Sequence, residues 1–186
     1  MEAMAATTRT PRERWVEEGL RALAAGGPDA VRVDVLAKDL GVTRGGFYWQ
    51  FGNRKALLEA LLDAWERTSV DEVIERIEAG GGDARTKLRA LFAVAASRRM
   101  VLRVDLAVRD WARRDAAVAA RLRRVDNRRM EYMRGLFGAF VADPDEVEAR
   151  CTITFAIFVG HHFMRVDHAG RTRRGVLDLV LERLLE

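Results

Sequence analysis

The stretch Leu36-Ala37-Lys38-Asp39-Leu40-Gly41-Val42-Thr43-Arg44-Gly45-Gly46-Phe47-Tyr48-Trp49-Gln50-Phe51 constrains this chain more than any other. It reads as two short helices, about Val33–Leu40 and Thr43–Gln50, joined by a tight turn at Gly41. Leu36, Leu40, Val42 and Phe47 supply the apolar grip between them, and small Ala37 allows a close crossing. Thr43 stands where a helix N-cap is expected. This is the pattern of a helix-turn-helix, whose second helix enters the DNA major groove. No Asp or Glu falls between Leu40 and Leu58, whereas Arg44, Arg54 and Lys55 do. Tyr48 and Trp49 occupy positions where an ordinary amphipathic helix carries charge. The stretch therefore reads as a DNA-contacting unit.

The remainder is helical throughout. Thr10-Pro11-Arg12-Glu13 has the spacing of a capping box, and Trp15, Val16, Leu20 and Leu23 follow at helical spacing until Gly26-Gly27-Pro28. A longer helix is expected over Arg54–Glu78, ended by Gly80-Gly81-Gly82, which marks a domain boundary or a loop within the second domain. Asp83, Asp115 and Asp143 stand as caps for helices reaching about Ser97, Val141 and His162, with a further helix at about Leu102–Arg113. The last helix covers about Arg171–Leu185. No segment alternates apolar and polar residues long enough for a strand. The expectation is an all-α fold of about nine helices, with a DNA-binding domain at 1–53 and a second helical domain at 54–186. The last two helices are apolar over more than one face, which suits burial against a second chain as a four-helix bundle about a two-fold axis. Val176, Val180, Leu181 and Leu184 are the expected interface residues. A thick monomeric core is the alternative.

Composition excludes several classes. With 186 residues, 49% hydrophobic and 32% charged, the chain is a globular one or two domains rather than a disordered segment. A net charge of +4 permits a nucleic-acid partner without demanding one. The single Cys151 leaves no internal disulfide and fits a reducing compartment. Residues Met1–Thr10 lack an apolar targeting core, and the longest apolar runs are too short to span a bilayer, so a cytoplasmic location without membrane partner is expected.

Leu36, Ala37, Leu40-Gly41-Val42-Thr43, Gly45, Phe47-Tyr48, Phe51 and Lys55 agree in order and spacing with one family. Together with the helix around Leu20, the first third of the chain resembles the N-terminal domain of the tetracycline-repressor (TetR) family of bacterial regulators. The resemblance implies a homodimeric DNA-binding transcriptional regulator, usually a repressor, released by a small effector molecule held in the C-terminal domain. It implies that Thr43, Arg44 and Gly45 open the recognition helix toward bases and phosphates, that Tyr48 and Trp49 meet backbone or thymine methyl groups, and that Lys55 meets phosphate. Thr10 and Val33 would touch flanking backbone. Two positions depart from the family pattern. Arg32 replaces a frequent hydroxyl cap and is free to contact phosphate. Gln50 replaces an aromatic or His and can reach adenine or phosphate.

Other signals are weaker. Arg109–Arg134 holds nine arginines against four acidic residues, which reads as solvated helix faces with i,i+4 pairs or as a second nucleic-acid surface. Cys151 and His162 share a helix face but lie about 16 Å apart along the axis, too far to share a metal ion. His162 beside Phe155 and Phe158 is a candidate polar anchor in an effector pocket, with Phe92, Trp111, Phe137 and Phe140 as candidate walls. No cofactor motif, nucleophile elbow or phosphate loop occurs, so no enzymatic activity is expected. The readings that compete with a regulator are a small-molecule-binding module and a non-specific DNA binder.

Overall fold

The computed structural model describes residues 10–97 and 99–186. Residues 1–9, read above for the absence of a targeting core, lie outside the described residues. The elements in chain order are α1 (Arg12–Gly26), a 3-10 turn (Pro28–Ala30), α2 (Val33–Asp39), α3 (Arg44–Phe51), α4 (Arg54–Glu66), a π turn (Arg67–Asp71), α5 (Glu72–Gly80), α6 (Ala84–Ser97), α7 (Arg99–Ala112), α8 (Ala116–Gly138), α9 (Pro144–Gly160) and α10 (Arg173–Leu185). Helical backbone continues from Arg54 to Gly80, as the periodicity predicts, but passes through one π turn that buries Ser69 and Val70. With that run counted once, the described residues form nine α-helices and no strand, apart from one isolated bridge between His168 and Arg171.

The helices start where short polar side chains can accept orphan backbone N–H groups. Asp83 accepts from the Thr86 N–H at 2.8 Å, Asp115 from Ala117 at 2.9 Å, and Asp143 from Asp145 at 3.0 Å. Asn53 and Thr172 do the same for α4 and α10, accepting from Ala56 and Gly175. The expected capping box at Thr10 is not formed. Pro11 occupies the cap position of α1 without a side-chain cap bond. Instead the Arg12 guanidinium donates to the Gln50 carbonyl at 3.0 Å and lies over the Phe51 ring at 4.3 Å, tying the start of α1 to the end of α3.

Two compact units emerge. The first comprises 10–67 and 103–119 of the described residues. Its core is aromatic: Trp15 meets Phe47 edge-on at 5.5 Å, and Phe47 stacks on Phe51 at 5.4 Å. Leu23, Leu36, Leu57 and Leu61 are fully buried beside them. Gly19 lets α1 approach α4, since a Cβ there would stand 2.8 Å from Leu61 Cδ2. On α7 the buried Asp105 accepts from Trp65 Nε1 of α4 at 3.1 Å and from Arg109 Nε at 2.9 Å, donors that make its buried charge tolerable.

The second unit comprises 68–102 and 120–186, and its core is mainly aliphatic. Leu88, Met133, Leu136, Phe137, Cys151, Leu181, Leu184 and Leu185 are buried together, drawn from α6, α8, α9 and α10. Leu181 and Leu184 are thereby corrected. They are 7% and 6% exposed, consumed by the chain's own core, and are not on an outward face of α10. The exposed large apolar residue of α10 is Leu179. The Gly80–Gly82 turn lies within this unit, with Gly81 and Gly82 at positive φ. Burial of the Cys151 thiol pushes its pKa up to about 11. Among the described residues no helix is long and apolar enough to cross a membrane.

Candidate nucleic-acid interface

The turn between α2 and α3 is made by Gly41 at φ +67, a left-handed conformation that glycine adopts without steric cost. The Val42 N–H returns to the Ala37 carbonyl at 2.9 Å and closes the turn. Phe47 and Phe51, one helical turn apart on α3, point into the aromatic core. Their burial sets the rotation of α3, and the opposite face follows from it. Arg44, Gly45, Tyr48 and Trp49 form that face, with Tyr48 at 55% and Trp49 at 62% exposure. A recognition helix exposing two aromatic side chains and an arginine, free of acidic residues, has the chemistry of a surface that meets a polyanion. Nothing lies within 4 Å of where a Cβ on Gly46 would stand.

The other candidates take varied positions. Thr43 is exposed at the cap position of α3 in extended backbone, without a side-chain cap bond. Lys55 is exposed in the first turn of α4, where helix dipole and ammonium add. Val33 opens α2 and is half-buried. Arg32 precedes it and is exposed, its guanidinium donating to Asp34 at 2.9 Å. Desolvation opposes it, but the Arg32 hydrogen bond and charge hold the Asp34 carboxyl below its ordinary pKa. Thr10 is half-buried, and its carbonyl accepts from Gln50 Nε2 at 3.4 Å. Arg54, counted above among the cations of the acid-free stretch, is spent on the fold, because it donates to the carbonyls of Val31 and Pro28.

Sequence reading missed Asn53 as the cap of α4, Gly19 as the close-approach point and the Trp65–Asp105–Arg109 network. A capping signal was present for Asn53, two residues before Lys55. Asp105 offered none, since one acid between Val104 and Leu106 resembles any surface carboxylate.

The candidate pocket residues fall into separate groups. Phe137 is fully buried, and Phe140 lies 5.9 Å from it beneath the Arg85 guanidinium at 3.9 Å. Phe155 and Phe158 face each other at 6.3 Å, and Phe92 and Phe155 pack against the core of the second unit. The His162 ring lies 3.5 Å from that of His161. Trp111 belongs to the first unit, unlike the other six. An open groove of about 430 Å³ lies elsewhere in the second unit, lined by Ile74, Glu78, Arg128, Glu131, Tyr132, Gly135 and Leu136. There Lys87 and then Tyr132 hold the Glu78 carboxyl low, while burial and Glu78 push the Tyr132 phenol up. The arginine-rich stretch resolves largely into ion pairs: Arg109 with Asp105, Arg114 with Asp110, Arg129 with Asp126, Arg128 with Asp71 and Arg134 with Glu148.

The first unit is thus built as a helix-turn-helix protein builds its DNA-binding head. Residues 16–61 match the family model described as bacterial regulatory proteins, tetR family, so the first unit carries a TetR-type N-terminal domain. The uncharacterized HTH-type transcriptional regulator TtgW of Pseudomonas putida is 34% identical over 58 residues, which are 31% of this chain and 43% of that protein. The match thus spans less than half the length of that relative. The fold extends the likeness over nearly the whole chain. A transcriptional regulator of the TetR/AcrR family from Thermobifida fusca superposes with a TM-score of 0.62 at 20% identity, covering 94% of this chain and 96% of that one. The regulator FadR from Bacillus subtilis, solved in complex with stearoyl-CoA, gives 0.66 at 16% identity, with 95% and 98% covered.

Proposed function

We propose that this protein is a TetR-family transcriptional regulator, that it binds an inverted-repeat operator as a homodimer, and that a small effector changes its affinity for that operator. The observation that carries the reading is the outward face of α3, where Arg44, Gly45, Tyr48 and Trp49 stand exposed in a stretch without acidic residues. Arg44 and Lys55 supply phosphate contacts, Tyr48 and Trp49 supply sugar and thymine-methyl contacts, and Thr43 and Gly45 allow close backbone approach. Thr10, Arg32, Val33 and Gln50 flank this face. Arg32 exchanges its Asp34 partner for phosphate, and Gln50 exchanges Thr10 for a base edge or phosphate.

The homodimer is supported by the outward faces of the last two helices. Ile153 on α9 is 49% exposed and Leu179 on α10 is 51% exposed, beside exposed Ala149 and Ala156 and half-buried Val176 and Gly175. Two copies meeting there set their recognition helices about 34–36 Å apart, one turn of DNA. The effector is a small, largely apolar molecule held in the second unit among Phe92, Phe140, Phe155, Phe158 and His162. It acts by binding one of two arrangements of the dimer more tightly than the other.

Selection of operator sequences from a random duplex pool tests the central reading. A palindromic consensus with two half-sites about one turn apart is expected, with affinity falling steeply as salt rises. Recovery of no consensus would reduce the protein to a non-specific binder, and no DNA binding at low salt would leave a small-molecule-binding module.

A further inference from the structure

The recognition helix has little of its own to hold it in place. α3 is eight residues long, follows Thr43 without a side-chain cap bond, and carries Gly45 and Gly46 in its first turn. Two turns of helix containing two glycines are marginal in water, so tertiary ties decide where the outward face stands. Phe47 and Phe51 tie the other face to the aromatic core.

The end of α3 is tied from another element. The last carbonyls of a helix lack intrahelical donors. Here the Gly52 N–H takes the Tyr48 carbonyl at 2.9 Å, and the Asn53 N–H takes the Phe51 carbonyl at 2.8 Å. The Gln50 carbonyl accepts from outside the helix, from the Arg12 guanidinium at 3.0 Å. The same guanidinium covers the Phe51 ring at 4.3 Å, and a cation at that end meets the negative pole of the helix. The Gln50 side chain is held as well, its Nε2 donating to the Thr10 carbonyl at 3.4 Å. Between Thr10 and Arg12 lies Pro11 at φ −58, an angle its ring leaves little freedom to change. Residues 10–12 thus clasp Gln50 by both its backbone and its side chain.

We infer that Arg12 is a positioning residue for DNA recognition. It holds the last turn of α3, and with it Tyr48, Trp49 and Gln50, at the angle that meets the groove, and it does not itself neutralise a phosphate. This inference rests on the reading of α3 as the DNA-contacting helix. The chemistry of the contact separates the two roles. A lysine would serve a phosphate as a point charge, whereas only a planar guanidinium can bond a carbonyl and cover a ring at once.

Binding titrations with the intact chain test the inference. The probes are the duplex selected from the random pool and an unselected duplex of equal length. Arg12→Gln should weaken binding to the selected duplex about 10-fold and to the unselected one less than about 2-fold. The slope of log affinity against log salt should stay that of the native chain, because no phosphate contact is lost. Arg12→Lys should bind no better than Arg12→Gln, within about 2-fold. In both free variants the Gly52 amide proton should exchange about 10-fold faster, with the thermal melting curve nearly unchanged. A salt slope shallower by about one, equal losses on both duplexes, or full recovery by lysine makes Arg12 a phosphate contact and overturns the inference. Native affinity in both variants overturns it too, and so does a lowered melting temperature that accompanies equal losses on both duplexes. A native chain that prefers neither duplex leaves nothing to position, which overturns the role of Arg12 while α3 stays on DNA. A native chain that binds neither sinks the reading of α3 and this inference with it.

Discussion

Both units expose aromatic side chains, and the charges around them differ. Tyr48 and Trp49 in the first unit stand in a stretch with no Asp or Glu, accompanied by Arg44 and Lys55. Phe163 in the second stands in a link where Asp167 lies among Arg165, Arg171, Arg173 and Arg174. Exposed aromatic surface alone says only that something covers it. The sign of the neighbouring charge narrows what: cations without any acid, as beside Tyr48 and Trp49, suit a polyanion. The interiors differ too. The first unit is locked by aromatic contacts and a buried ion pair, the second by aliphatic packing.

Substitutions can break or sharpen this contrast, beginning with the largest effect. Leu181→Asp places a charge in the second unit's core and should cost about 4 kcal/mol or more, leaving that unit unfolded by circular dichroism. Leu179→Asp, two residues earlier, should leave the melting temperature nearly unchanged and weaken the dimer in sedimentation. Equal behaviour of the two variants would mean that the faces of α10 are wrongly assigned. Asp105→Ala strips Trp65 and Arg109 of a buried partner and should cost about 3 kcal/mol of stability in denaturant titration. An effect below about 1 kcal/mol would show that the first unit does not depend on this pair.

Arg44→Ala with Tyr48→Ala should weaken operator binding about 100-fold at fixed salt and leave the dimer intact. Unchanged binding in gel-shift titration would remove α3 from the interface. The Cys151 thiol adds a pH dependence. Its pKa is raised from 9.0 to about 11 in the fold, so between those values the unfolded chain releases a proton that the folded chain keeps. Stability should therefore fall as pH rises through that window, and Cys151→Ala should flatten the slope. The smallest effect is expected at Gly19→Ala, where overpacking against Leu61 is partly offset by better helix propensity. A loss of about 1 kcal/mol in thermal melts is the expected net.

The first unit was the more legible because its constraints are local. Gly41, Phe47 and Phe51 set turn and rotation within a few residues of one another, so spacing alone revealed them. Asp83, Asp115 and Asp143 were readable as caps for the same reason. Thr10 had the right spacing for a capping box, yet a tertiary contact from Arg12 to Gln50 and Phe51 fixed the start of α1 instead. Leu181 and Leu184 show the limit most clearly. A helix with apolar residues on several faces gives no internal sign of which face meets its own chain and which meets another. The unit boundaries were hidden as well, because the chain passes between units inside helical elements, at 67/68, 102/103 and 119/120. Composition and turn residues mark loops, and no loop lies there.

The last turn of α10 finds its hydrogen-bond donors far away in the chain. Arg85 donates to the Leu185 carbonyl at 3.1 Å across 100 positions, and Arg150 to the Leu184 carbonyl at 2.7 Å. Arg89 adds a forked pair to Glu182. A terminal helical turn usually frays, exchanging its amide protons through local openings. Here the turn is held by α6 and α9, so opening it requires loosening both. Protons in that turn should then exchange as slowly as those of the surrounding core. In refolding, the same turn should gain protection late, since closing a loop of such length precedes the bond that secures it.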